Sequence, residues 1–168
     1  MKILLIIFCL IFSTSTVAED IYDLQIEGIS IGDSLLDYFS EKKILNSHEY
    51  FYKDDKFRHF ELTSNKFKKY YSMHVYFKKN DNNYYIEGLA GTVLFKDNIL
   101  DCYKELKEVD TYITSNFDYL SRQENEYDHP YDKSGKSNVK EVYYELKLGV
   151  MQLTCNDWSE ELMYLDHL

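Results

Sequence analysis

Apolar residues recur along the chain at two different periods, and each period predicts a different kind of element. After Asp33, a residue that can cap a helix, residues 35–39 place apolar side chains three and four positions apart. This spacing predicts a short N-terminal helix ending near Asn46. Residues 48–95 change to a period of two, which is typical of half-buried strands. Within them, Gly88 and Gly91 indicate a bulge or a close backbone contact. We expect an antiparallel β-meander.

The longest helical pattern covers residues 97–120. Its apolar side chains step round at three and four residues, while charged residues fill the opposite side. Such a stripe normally packs on the apolar face of a neighbouring sheet. We therefore predict one long amphipathic helix that packs across the meander.

The C-terminal third combines a polar stretch with further strand patterns. Residues 121–138 are polar and include Pro130, which predicts a long mobile loop. Residues 140–155 and 162–168 have strand character and predict a C-terminal β-hairpin. The predicted fold class is α+β: a short N-terminal helix, a β-meander, one long helix packed on it, and the hairpin.

The first 18 residues have the pattern of an export signal. Lys2 precedes an apolar run at residues 3–12, and Thr16 and Ala18 occupy the −3 and −1 positions of a cleavage site. Ten apolar residues are too few to cross about 30 Å of hydrocarbon. The prediction is a signal peptide over residues 1–18, cleaved near Ala18, and a single periplasmic or secreted domain over 19–168 without a membrane span.

Composition bounds the function only loosely. The chain has 168 residues and a net charge of −10, which fits one domain and argues against a nucleic-acid partner. Its hydrophobic content of 45% suffices for a core. The abundance of Lys and Tyr follows from AT-rich codons and is not in itself a binding signature.

Cys102 and Cys155 are the two cysteines outside the signal segment. Because exported proteins meet oxidants, the two thiols are candidates for a disulfide that ties the long helix to a late strand. The alternative is a pair of buried free thiols that pack as small apolar side chains.

The chain contains none of the short motifs that identify a catalytic, nucleotide or metal site. The five histidines lack metal-ligand spacing, so we predict no catalytic residues, no cofactor and no metal. His59 and His74 lie on strands that can be neighbours and are interpreted as partly exposed strand histidines; the alternative is a two-histidine metal site with Glu61. The alternative function is a small secreted hydrolase, because glycosidase acids come from distant positions.

Four tyrosines are the candidate binding surface: Tyr70, Tyr76, Tyr84 and Tyr143. They are expected to place aromatic rings on an outer sheet face, where rings stack on sugars or meet a protein partner. The predicted function is a non-catalytic binding or accessory domain of the cell envelope. Its partner is an envelope protein or a small-molecule ligand.

Three segments carry a resemblance to other proteins: IEGISIGDSLLDYFS at residues 26–40, CYK at 102–104 and CNDW at 155–158. In these the chain resembles a family of uncharacterised small exported proteins of AT-rich marine bacteria. The resemblance implies export and paired cysteines, and it implies no activity.

A second resemblance rests on Gly28, Ile29, Ser30 and Asp33. The segment is similar to the opening of small periplasmic α+β domains of the outer-membrane assembly-lipoprotein or β-lactamase-inhibitor type. The chain departs from that pattern because it lacks their lipid-bearing cysteine.

Overall fold

The computed structural model describes residues 21–51, 56–95 and 98–159, so the predicted signal peptide and the predicted strand 162–168 lie outside the described residues. Over these described residues the fold is mostly β, with three antiparallel sheets and one long helix. Apart from two 3₁₀ turns, its elements are β1 (Gln25–Ile26), β2 (Ile29–Ser30), α1 (Glu41–Leu45), β3 (His48–Tyr50), β4 (Phe57–Leu62), β5 (Ser72–Lys78), β6 (Gly88–Thr92), α2 (Ile99–Asn116), β7 (Ser121–Asp128), β8 (Asn138–Leu146) and β9 (Gly149–Asp157).

The prediction of one N-terminal helix over residues 33–46 is wrong. The segment forms a 3₁₀ turn, Leu35–Asp37, and then the five-residue α1. Ser34 accepts a hydrogen bond from the amide of Leu36, and Ser40 accepts one from the amide of Lys43. Since each serine caps its own short element, the chain ends the first turn and starts again instead of continuing one helix.

Strands β3, β4, β5 and β6 form a four-stranded antiparallel sheet in that order. One face contributes Phe60, Val75 and Phe77 to a core that the N-terminal segment covers with Leu35 and Ile44. The small β1–β2 hairpin turns through Glu27 and Gly28, which both have positive φ, as a type I′ turn requires.

The long helix does not pack on this meander. Its buried residues Leu106 and Ile113 join a second core with Val142, Tyr144 and Met151 of the C-terminal sheet. That sheet has the strand order β7–β8–β9. The predicted fold class is therefore wrong in its central contact, because an apolar stripe identifies a buried face without identifying the sheet that covers it.

Residues 121–138, expected as a loop, contain the eight-residue strand β7. It is an edge strand with mostly exposed side chains, so its sequence has no apolar alternation to reveal it. Asp132 organises the connection that follows, since its carboxylate accepts hydrogen bonds from the backbone amides and hydroxyls of Ser134 and Ser137. The single late strand expected at 140–155 is a hairpin of β8 and β9.

Cys102 and Cys155 lie at disulfide distance, with sulfurs 2.07 Å apart, and join α2 to β9. In the chain-entropy account, a link across 53 residues stabilises the fold by about 4 kcal/mol. Over the described residues, neither helix is long and apolar enough to cross a membrane.

Candidate binding surfaces

The register of the meander places two rows of polar and aromatic side chains on the face opposite its core. One row joins His48, Glu61 and His74, and the other joins Tyr50, His59 and Tyr76, as cross-strand partners on β3, β4 and β5. Side chains of one face alternate along a strand, so all six project to the same side of the sheet. We call these six residues the histidine face.

The second row of the histidine face is a stack of three rings. The ring of His59 lies 4.6 Å from Tyr50 at an interplanar angle of 19°, and 4.1 Å from Tyr76 at 16°. Enclosed between two tyrosines, His59 is only 4% exposed. A buried imidazole on the side of a sheet away from its core is an unusual arrangement for a histidine.

The two rows are joined through the imidazoles. His59 Nε2 and His74 Nδ1 lie 2.9 Å apart and share one hydrogen bond, in which one ring donates and the other accepts. His74 Nε2 lies 3.9 Å from Glu61 Oε1, which is within ion-pair range but too long for a hydrogen bond. The hydroxyl of Tyr50 donates to Glu61 Oε2 at 2.8 Å.

Burial sets the charge state of the histidine face. It lowers the pKa of His59 to about 4, assisted by repulsion from His74 and His48. Burial also lowers the pKa of His74, against the attraction of Glu61. Burial opposes ionisation of Glu61, but the neighbouring hydroxyls and imidazoles outweigh it and lower the pKa of that carboxyl. At neutral pH His59 and His74 are therefore neutral imidazoles and Glu61 is a carboxylate.

Two glycines of β6 allow the rings at the edge of the sheet to lie against its backbone. A Cβ on Gly91 would overlap the ring of Tyr70, and one on Gly88 would lie 3.2 Å from the ring of Tyr76. The close backbone contact that these glycines indicated is present, and its partners are tyrosine rings.

The four predicted tyrosines do not form one surface. Tyr76 belongs to the histidine face, and Tyr70 is half-buried over β6 beside it. Tyr84 is a correction: it is buried in the meander core, with its ring 4.8 Å from Phe77. Its backbone has a φ of 53°, which interrupts the strand alternation and turns the side chain inward.

Tyr143 lies on the other sheet, on the face opposite α2. Its cross-strand neighbours are Gln123 on β7 and Gln152 on β9. Next to them, Glu141 accepts hydrogen bonds from Asn125, Tyr127 and Gln152. This face is polar and mutually hydrogen-bonded, as expected of the solvated side of an antiparallel sheet.

A partly buried network that the sequence did not reveal ties α2 to the C-terminal sheet. Arg122 donates two hydrogen bonds of 2.8 Å to the carboxylate of Asp110, and Tyr144 donates to the same carboxylate. The arginine lowers the pKa of Asp110, while burial raises the pKa of Tyr144 to about 12. These groups are 12 and 34 residues apart from Asp110, so no local motif marks them.

In the described part of the chain, no three His, Cys, Asp or Glu side chains lie close enough together to hold a metal ion. Comparison of the chain with family models, with curated proteins and with solved structures gives no match.

Proposed function

We propose that the protein is an exported, non-catalytic binding domain of the cell envelope and that it contacts a protein partner through the histidine face. The export pattern of residues 1–18 and the Cys102–Cys155 pair support an oxidising location. Membership of the exported family that the chain resembles is part of the same proposal.

The observation that carries the proposal is the burial of polar rings on the side of the meander away from its core. Burying an imidazole is costly unless its nitrogens are paired, and His59 is held by a hydrogen bond and two stacked rings. Groups with shifted pKa values that cluster in one place are candidates for a functional site.

The shape of the surface favours a protein over a small molecule as partner. The six side chains lie side by side on three strands of a sheet, whereas small ligands bind in concave sites. Tyrosine is enriched at protein interfaces because it offers a large ring and a hydroxyl. Tyr50 and His48 are exposed and form the accessible part of the face.

The hydrolase alternative gains no support from Asp110 and Glu49, two acids whose pKa is lowered. Asp110 and Glu49 each hold an arginine, Arg122 and Arg58 respectively, through two hydrogen bonds. These carboxylates hold the fold together.

The test is capture of partners from envelope extract by the exported protein carrying a C-terminal tag. We expect one stoichiometric protein partner, and we expect its recovery to fall at least about tenfold in the double variant His48→Ala, Tyr50→Ala. The matched control is Gln123→Ala, Tyr143→Ala on the other sheet, which should retain the partner. Loss of the partner in the control alone, or capture of no protein by the parent chain, would overturn the proposal.

A further inference from the structure

A groove of about 680 Å³ opens beside the meander, between the segment around α1 and the connection from β4 to β5. Its volume lies within the range of small-ligand sites. The groove shares no lining residue with the histidine face, so a ligand bound in it would be separate from the proposed protein partner.

The walls of the groove are held in place by contacts behind them. The hydroxyl of Tyr38 donates to Asp33 Oδ2 at 2.6 Å, and Asp33 also accepts from the amide of Ser30. The ring of Phe39 packs edge-on against Phe67 at 6.1 Å. Side chains that are already ordered in the free protein lose less conformational entropy when a ligand binds.

The charge of the groove is opposite to that of the protein. The whole chain carries −10, yet the described residues that line the groove include Lys43 and Lys66 and no aspartate or glutamate. Neither ammonium group forms an ion pair with a carboxylate of the described residues. The lysines are therefore available to an anionic ligand, and the remaining acids favour its placement here over other parts of the surface.

The remaining lining groups indicate what kind of anion fits. Tyr71 is 59% exposed and Tyr38 is 40% exposed, so both offer ring surface at the groove. Ser40, Ser64 and Asn65 add hydroxyl and amide groups. Aromatic rings cover the apolar face of a sugar, and hydroxyl and amide groups bond to sugar hydroxyls, while ammonium groups pair with carboxylate or sulfate.

We propose that this groove binds an acidic saccharide, with Lys43 and Lys66 holding its anionic groups and Tyr71 packing on a sugar ring. A saccharide uses all three chemistries of the lining, whereas a bare inorganic anion uses the lysines alone.

Calorimetric titration of the exported protein with an oligogalacturonate, with a sulfated oligosaccharide and with inorganic phosphate tests the proposal. We expect binding of an acidic saccharide and about a fivefold loss of affinity for each of Lys43→Gln and Lys66→Gln, the effect of one partly exposed ion pair. Tyr71→Ala should weaken the same ligand, because it removes the stacking ring.

The matched control is Lys104→Gln, Lys107→Gln on the exposed side of α2, which removes the same two charges elsewhere. An equal loss in that control would show attraction to net charge alone and would overturn the proposal. Three other results would also overturn the proposal. They are equal affinity for the methyl-esterified, uncharged form of the oligogalacturonate, binding of phosphate as tight as that of the saccharides, and no binding of either acidic saccharide.

Discussion

His59 and His74 share a single N–H···N hydrogen bond of 2.9 Å across neighbouring strands, between rings that burial holds neutral. The bond needs one protonated and one unprotonated nitrogen, so the pair tolerates one additional proton at most. A second proton would place two N–H groups against each other. The interaction therefore makes the meander sensitive to acid.

The first prediction concerns the pH dependence of stability. The pKa of His59 is about 4 in the fold against 6.5 for the ordinary side chain, so the unfolded chain binds its proton first as the pH falls. The stabilisation that neutral His59 supplies is fully present above pH 6.5. It is lost progressively as the pH falls from about 6.5 to 4, by at most about 3 kcal/mol. Urea titrations across this range should show the free energy of unfolding falling with pH.

The pH range of the loss distinguishes the titration of histidines from that of carboxylates. Asp110 and Glu49 have lowered pKa values, so the stability they supply is lost only below the ordinary carboxyl range. In His59→Gln the slope above pH 5 should become flatter. An unchanged slope would show that the imidazole of His59 titrates alike in the folded and unfolded chain.

The second prediction concerns the contact between Gly91 and Tyr70. Gly91→Ala should cost about 1–3 kcal/mol, because the added Cβ would overlap the ring of Tyr70. In a Tyr70→Ala background the same change should cost little, since the ring is gone. A double-mutant cycle by denaturant unfolding measures this coupling. Additive effects would mean that the ring does not lie on the glycine.

The third prediction separates two of the candidate tyrosines. Tyr84→Ser should lower the free energy of unfolding by about 3–4 kcal/mol, because it removes a ring packed on Phe77 and the hydrogen bond to Glu41. Tyr143→Ser should cost about 1 kcal/mol or less on its open face. Thermal and urea unfolding of both variants check the difference. Similar losses in the two would place Tyr84 outside the core.

The fourth prediction concerns the charge that joins α2 to the C-terminal sheet. Asp110→Asn should cost about 2 kcal/mol, since it leaves Arg122 without its carboxylate and weakens the bond from Tyr144. Glu108→Gln on the same helix is the control, because its pairing with Lys104 is exposed and 4.0 Å long. We expect Glu108→Gln to lower the free energy of unfolding by less than about 0.5 kcal/mol. Equal losses in urea unfolding would contradict the proposed role of Asp110.

The fifth prediction concerns the Cys102–Cys155 bond. Protein made in an oxidising compartment should resist alkylation until it is reduced, and intact mass with and without reductant reads this directly. The double variant Cys102→Ser, Cys155→Ser should lose about 4 kcal/mol in unfolding free energy. Two thiols that alkylate without reductant would rule out the bond.

Local pattern alone predicted several elements correctly within a few residues. The stripe over residues 97–120 corresponds to α2 at Ile99–Asn116, and the period of two within residues 48–95 includes β5 at Ser72–Lys78. Both signals arise within a single element, from the 3.6-residue and two-residue repeats that put apolar side chains on one side. The pairing of the two cysteines was open from the sequence, with free thiols as the alternative, and the structure places their sulfurs at disulfide distance.

Local pattern did not predict the contacts between elements. The meander and the C-terminal sheet each have an apolar face, so the stripe of α2 fitted either, and tertiary packing placed it on Val142 and Tyr144. Strand β7 escaped detection because an edge strand is held by backbone hydrogen bonds, which every residue type except proline can donate.

The sequence by itself determined which segments repeat with helical or strand period, the acidic charge, and the export pattern, because each of these is local or additive along the chain. Only the tertiary structure decided that His59 and His74 meet, that Tyr50 and Tyr76 enclose His59, and that Tyr84 turns inward. Strand register sets these contacts. A shift of one residue would send every side chain of a strand to the opposite face, and register is strongly specified only where one face of the sheet is buried in the folded protein.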